Sequence, residues 1–147
     1  MDEDLSLQLF TVLTRASRAV MDHAIQDIRR YSLNQTEFAV LELLYHKGPH
    51  PLQQIGDKIL LASGSMTYVV DNLEKKGYLE RKTGSSDRRI TFANISDQGR
   101  ALLDDIFPQH ATVMKQAMQG LNPEEKAIAI TLLRKLGKEA RQQLSGK

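Results

Sequence analysis

The sequence predicts a mainly α-helical fold carrying one small β-hairpin. Three observations predict it. Apolar residues recur every three or four positions over most of the chain, the spacing of one helix face. From Tyr78 to Ile95 the alternation changes to every second residue, the spacing of a strand. Local start and stop signals punctuate the rest: Asn34 with Glu37, Gly48 with Pro49 and Pro51, Gly77, and Asn122-Pro123 with Glu125.

Composition narrows the class. A chain of 147 residues allows one domain, or one small domain with extra helices that pair with a second copy. Hydrophobic residues make up 41% and charged residues 26%, which indicates a globular chain. The net charge is only +2, so a nucleic-acid partner must be argued from where the charges sit. There is no cysteine, which excludes disulfides, thiolate metal sites and thiol redox sensing by this chain. No apolar run is long enough to span a bilayer, and the opening Met1-Asp2-Glu3-Asp4 is acidic, unlike a signal peptide. A cytoplasmic location and no membrane partner are expected. Neither a cofactor nor a metal is expected.

The first helix is expected over Leu5–Tyr31, with Leu9, Leu13, Ala16, Val20, Ala24 and Ile28 as its apolar stripe. Such a long amphipathic helix needs something to pack on, and a second copy is one candidate. Asn34 and Glu37 form a capping box for the next helix, and Leu33 and Phe38 stand at the hydrophobic-staple positions. That helix runs to Lys47, with Phe38, Leu41, Leu44 and Tyr45 inward. His46 and His50 are separated by Gly48-Pro49, cannot share a helical face, and read as exposed loop residues. A third helix, Leu52–Leu60, buries Leu52, Ile55 and Ile59. A break at Leu61-Ala62-Ser63-Gly64-Ser65 follows, with Ser63 as the N-cap of a fourth helix, Met66–Lys76, that stops at Gly77. Met66, Val69, Val70 and Leu73 face inward there.

Strands Tyr78–Lys82 and Arg88–Ile95 follow, joined by Thr83-Gly84-Ser85-Ser86-Asp87. Ile90 and Phe92 alternate with Thr91 and Ala93 on the return strand, and one face is apolar and packs down. Ser96 caps a fifth helix, whose Gly99 permits close approach to a neighbour. Its main stripe is Leu102, Ile106, Val113 and Ala117. Pro108 lies inside and must kink or split it. Asn122, Pro123 and Glu125 open a last helix, to about Leu144, expected to bury Ala129, Leu133, Leu136 and Ala140.

Two helices joined by a tight break and followed by a hairpin make a winged helix-turn-helix, which can place a helix in a major groove and a wing over a minor groove. Residues 33–96 are expected to form this DNA-binding domain, and 1–32 with 97–147 a helical dimerisation region. From Lys58 to Arg89 there are seven Lys or Arg and four Asp or Glu, a net of +3 that exceeds the whole chain's charge. Ser65, Thr67, Tyr68 and Asn72 suit base edges and phosphates better than a core, although an ordinary polar surface would look the same. Lys58, Lys75 and Lys82 are candidate phosphate contacts. Arg88 and Arg89 at the hairpin tip suit a narrow minor groove. Asp87 would be repelled by phosphate and is expected to pin Arg81 or Arg89.

The segment Asp87-Arg88-Arg89, then Ile95-Ser96-Asp97-Gln98-Gly99, resembles the wing pattern of the MarR family of bacterial transcription regulators: Asp, any residue, Arg, five residues, then Leu-Thr-x-x-Gly. Ile95 and Ser96 depart from the commonest residues but keep their chemistry. Leu73-Glu74-Lys75-Lys76-Gly77-Tyr78-Leu79-Glu80-Arg81 resembles the family's recognition-helix exit. The resemblance covers nearly the whole chain. It implies a homodimer interlocked through the first and last two helices, bound to pseudo-palindromic double-stranded DNA and usually repressing. It implies Arg89 in the minor groove, Asp87 orienting it, and Ser63, Ser65, Thr67 and Tyr68 at the major groove. Phe38 to Gly48 and Leu60 to Ser65 are similar to regulators that respond to quinones and hydroquinones. A small phenolic or quinone effector is therefore an expected partner. His23, Phe38, Tyr45, Phe107 and Met114 fall near where the family binds aromatic ligands, although each also reads as plain core or interface.

Two other classes compete. A winged-helix protein-interaction module that never touches DNA would not need arginines at its tip. A small acid-base hydrolase would need a nucleophile, base and orienting group, or a Gly-rich phosphate loop, and no such pattern occurs.

Overall fold

The computed structural model describes residues 1–59 and 66–146. The expected break at 61–65 lies outside the described residues, and with it Ser63 as N-cap and Ser63 and Ser65 as DNA contacts. In chain order the elements are α1 (Asp2–Arg29), α2 (Gln35–Lys47), β1 (His50–Pro51), α3 (Leu52–Lys58), α4 (Met66–Lys75), β2 (Leu79–Thr83), β3 (Thr91–Ile95), α5 (Asp97–Ala117) and α6 (Pro123–Ser145). The chain divides into two compact units, Met1–Met114 and Lys115–Lys147.

Local chemistry starts and stops the helices. Asn34 accepts from the Glu37 amide at 2.8 Å and Glu37 accepts from the Asn34 amide at 3.0 Å, so both halves of the capping box form. Gly48 ends α2 at φ +85°. Gly77, also at φ +85°, ends α4: its amide reaches Glu74 O and the Tyr78 amide reaches Leu73 O, each at 3.0 Å. These two bonds are a Schellman closure, and they turn the chain directly into β2. Ser96 accepts from the Gly99 amide at 3.0 Å and donates to Gly77 O at 2.6 Å, so one hydroxyl caps α5 and holds the end of α4.

The sheet is antiparallel in the order β1-β3-β2. β1 was not foreseen: His50 pairs with Ala93 and Pro51 with Phe92 at the sheet edge, where proline is tolerated. His50 is consequently half-buried, not an exposed loop residue, and its Nδ1 lies 2.8 Å from Gly48 O. Leu79 pairs with Ile95 and Arg81 with Ala93, so these four share one face. Leu79 and Ala93 are buried, while Ile90 and Phe92 are only partly so. The face that packs down is thus the one carrying Leu79 and Ala93.

The core of the first unit joins Leu41 and Leu44 of α2, Ile55 of α3, Val70 and Leu73 of α4, Leu79, and Leu103 and Ile106 of α5. The buried edge of α5 is Gly99, Leu103, Ile106 and His110; of the expected stripe Ile106 is on it, while Leu102, Val113 and Ala117 are only partly buried. Pro108 does not split this helix. Its ring falls on the exposed side. α1 buries only Ala24, Asp27 and Ile28, near its C-terminal end. In the second unit Asn122 and Glu125 complete their capping box. α6 buries none of its residues: Leu133 and Leu136 are 49% and 39% exposed, where burial was expected.

Candidate nucleic-acid interface

The wing tip is built from the turn between β2 and β3. Gly84 donates to Ile90 O at 2.8 Å, and the Ile90 amide returns to Asp87 O at 3.2 Å. A side chain at Gly84 would meet Asp87 O at 2.7 Å, so the tight closure needs a glycine. Asp87 then orients Arg89. Its Oδ1 accepts from the Arg89 amide at 3.0 Å and from Nε at 3.2 Å, and its Oδ2 from Nη2 at 3.2 Å. These hydrogen bonds, side-chain first, hold the Asp87 carboxyl below its usual range. The Arg89 side chain is nevertheless 90% exposed. A cation is fixed in direction and left open to solvent at the end of a protruding hairpin.

Arg81 does something else. Facing the same way as Leu79 and Ala93, it reaches Asp71 of α4 with Nη2 and Glu74 with Nη1, the latter at 3.5 Å. It ties the wing to α4, and Asp87 takes Arg89 alone.

On α4, Val69, Val70 and Leu73 are buried, Thr67 and Tyr68 are exposed, and Asn72 is half-buried. Lys58 ends α3, Lys75 ends α4, and Lys82 lies on β2 beside Glu80 at 3.8 Å; all three are exposed, as is Arg88. The described DNA-contact candidates therefore lie on α3, α4 and the hairpin, exposed except for Asn72.

The ligand candidates are less unified. Tyr45 and Phe107 come together, ring centroids 6.2 Å apart, with His46 edge-on to both. Tyr45 donates to Asp104, which raises its pKa, and Arg100 lies 5.7 Å from its ring. Phe38 is buried against His110, with ring centroids 4.7 Å apart. Met114 packs partly on the core, and His23 is exposed on α1. A groove on α1 is lined by Leu13, Ser17, Met21 and Ile25, and none of the five candidates lines it.

Sequence reasoning missed a buried polar cluster. Asp27, 3% exposed, accepts from Tyr31 Oη at 3.1 Å and Arg30 Nη1 at 3.1 Å, and its Oδ2 lies 2.9 Å from His110 Nδ1. Burial, then the bond to Asp27, raises the Tyr31 pKa. Asp27 sits on the apolar side of α1, at the i−1 position of Ile28, and that placement was the available signal.

Residues 33–91 match the MarR family. The chain is 56% identical over 137 residues to the HTH-type transcriptional regulator MhqR of Bacillus subtilis (strain 168), covering 93% of this chain and 94% of that one. Among solved structures it is similar to Bordetella bronchiseptica BpsR, whose DNA binding is regulated by 6-hydroxynicotinic acid, at 25% identity, TM-score 0.77, and 88% and 92% coverage of this chain and that one. It also shares the fold of Streptomyces coelicolor Sco3205, solved in complex with DNA, at 20% identity, TM-score 0.81, and 91% and 90% coverage.

Proposed function

Since this chain belongs to the MarR family of transcription regulators, we propose that it binds pseudo-palindromic double-stranded DNA as a homodimer and represses transcription there. We further propose that a small aromatic ligand of the phenol or quinone class releases it. The observation that carries the reading is the wing tip, an exposed Arg89 held in direction by Asp87. A fixed arginine inserted into a narrow minor groove reads groove width without touching base edges. The N-terminal half of α4, with Thr67 and Tyr68 exposed, supplies the base-reading surface, and Asn72 lies further along it. Lys58, Lys75, Lys82 and Arg88 add phosphate contacts that weaken as salt rises.

Two copies related by a two-fold axis would present their α4 helices to successive major grooves, about 34 Å apart. The uncovered apolar faces of α1 and α6 support pairing with a second copy. In this reading residues 33–96 bind DNA, and 1–32 with 97–147 supply the dimer. No helix among the described residues is long and apolar enough to cross a membrane, which fits work on cytoplasmic DNA.

Release requires a ligand that prefers the DNA-incompetent spacing. A 100-fold loss of operator affinity needs a preference of about 2.7 kcal/mol. The rings of Phe38, Tyr45 and Phe107 supply apolar contact for an aromatic ligand, with Met114 and His23 on the flanking helices. Lacking cysteine, the chain would bind a quinone without forming a thioether. The test is a genome-wide selection of DNA fragments by the purified protein, repeated with catechol and with benzoquinone. A palindromic motif depleted by either compound supports the reading. Retention of no fragment above bulk competitor at ordinary ionic strength overturns it.

A further inference from the structure

Lys76 follows the last residue of α4, and its ammonium turns back onto the protein from a side chain that is still 39% exposed. Nζ donates to Glu37 Oε2 at 2.9 Å, to Glu37 Oε1 at 3.2 Å and to Ser32 O at 3.2 Å. Two of these acceptors are the oxygens of one carboxylate, so the ammonium is already paired with an opposite charge on the protein. Lys75 beside it is exposed and pairs with no acid among the described residues. The two neighbouring lysines therefore have different jobs.

The acceptors are unusual. Glu37 is 3% exposed, and its Oε1 also closes the capping box on the Asn34 amide. Ser32 has φ +60°, a left-handed conformation that costs a non-glycine residue about 1 kcal/mol and turns its carbonyl away from the helical course. Each charge also suits its own helix. Glu37 stands at the positive N-terminal end of α2, and Lys76 at the negative C-terminal end of α4. Just before this corner in the chain, Asp27 of α1 holds Tyr31 and His110 of α5.

We propose that Lys76 is a positioning residue for DNA binding: its latch onto Glu37 and Ser32 fixes the recognition helix α4 against the corner between α1 and α2. This rests on the reading of α4 as the DNA-reading helix and α1 as part of the dimer scaffold. The latch makes the direction of α4 depend on the first turn of α2 and the turn before it, 39 to 44 residues earlier in the chain. Its sign is counter-intuitive. Removing the negative charge of Glu37 weakens binding to a polyanion, because it frees α4 and not because it alters the field.

The test measures affinity for an operator duplex, selected with the wild-type protein, from 50 to 300 mM salt. The variants are Glu37→Gln, Lys76→Met, the double variant and Lys76→Arg. Glutamine keeps the capping bond to Asn34, so the start of α2 survives. Expected are losses of about tenfold for each single variant and for the double, with an unchanged salt slope, and near wild-type binding for Lys76→Arg. If Lys76→Met leaves the buried Glu37 carboxylate unpaired and does not fold, the double variant carries the comparison. A salt slope that falls by about one unit in Lys76→Met would identify a phosphate contact and overturn the latch. So would Glu37→Gln binding as tightly as wild type or tighter, or a fall in melting temperature with no change in affinity. A wild-type protein that binds no duplex would instead sink the DNA-binding reading itself.

Discussion

At the scale of single residues, charge is placed by hydrogen bonds that cost little and direct much. Asp87 accepts two guanidinium bonds and one amide bond from Arg89, and its carboxyl is held below the usual 3.8. A depressed carboxylate contributes its ordering above its ordinary pKa and loses it only as pH falls through the lower, folded value. The direction of Arg89 therefore stays set through the ordinary carboxylate range and is lost only as pH falls below it. In Arg89→Ala the Asp87 carboxyl carbon, followed by NMR, should titrate higher than in wild type, with the amide bond from residue 89 still lowering it, and operator affinity should fall about tenfold. An unchanged midpoint would mean that Arg89 does not hold Asp87 in solution.

Asp27 is the same device in reverse, a carboxylate buried with Tyr31, Arg30 and His110 around it. Asp27→Ala leaves the buried His110 and the half-buried Tyr31 without their partner and should cost about 3 kcal/mol in urea unfolding, whereas Tyr31→Phe should cost about 1 kcal/mol. Equal costs for the two would show that His110 contributes nothing to the cluster.

At the scale of elements, what was legible in the sequence was what is decided locally. Both capping boxes, Asn34 with Glu37 and Asn122 with Glu125, form as their spacing predicts, because a cap needs only four residues. The hairpin's existence was equally legible, but its packed face was not. The pairing of β3 with the two-residue β1 selects Ala93 for the core, and so short a strand leaves no periodicity to read. The inward stripe of α5 was partly misplaced for a related reason: alternative apolar stripes run along it, and the contact at Gly99 decides between them. There a Cβ would meet Tyr78 O at 2.2 Å and Ile95 Cγ1 at 2.9 Å. Backbone cannot yield as a side-chain end can. Gly99→Ala should therefore destabilise by about 1–3 kcal/mol, despite alanine's better helix propensity. A melting temperature at or above wild type would mean that α5 does not abut the exit of α4. Lys76 with Glu37 and Arg81 with Asp71 were invisible beforehand, since a pair separated by many residues leaves no spacing to recognise.

At the scale of the whole molecule, the sequence patterns of α1 and α6 set out apolar residues that stay exposed. Leu9 and Phe10 on α1, and Ile128 and Leu132 on α6, are all more than half exposed. Ile128 and Leu132 are four apart and share one helix face. Both are more than half exposed, so their substitution removes little buried surface and reports chiefly on pairing. Ile128→Glu with Leu132→Glu places two carboxylates on that face and should give a monomer at micromolar concentration in sedimentation velocity. Tethering two half-site readers raises affinity by about 10²–10⁴ through effective concentration alone. The monomeric variant should lose about that factor on a full palindrome, while a duplex with a single half-site should bind it as weakly as it binds wild type. A variant that stays monomeric yet holds the full palindrome as tightly as wild type would show that one copy suffices, and that these apolar faces serve some other partner.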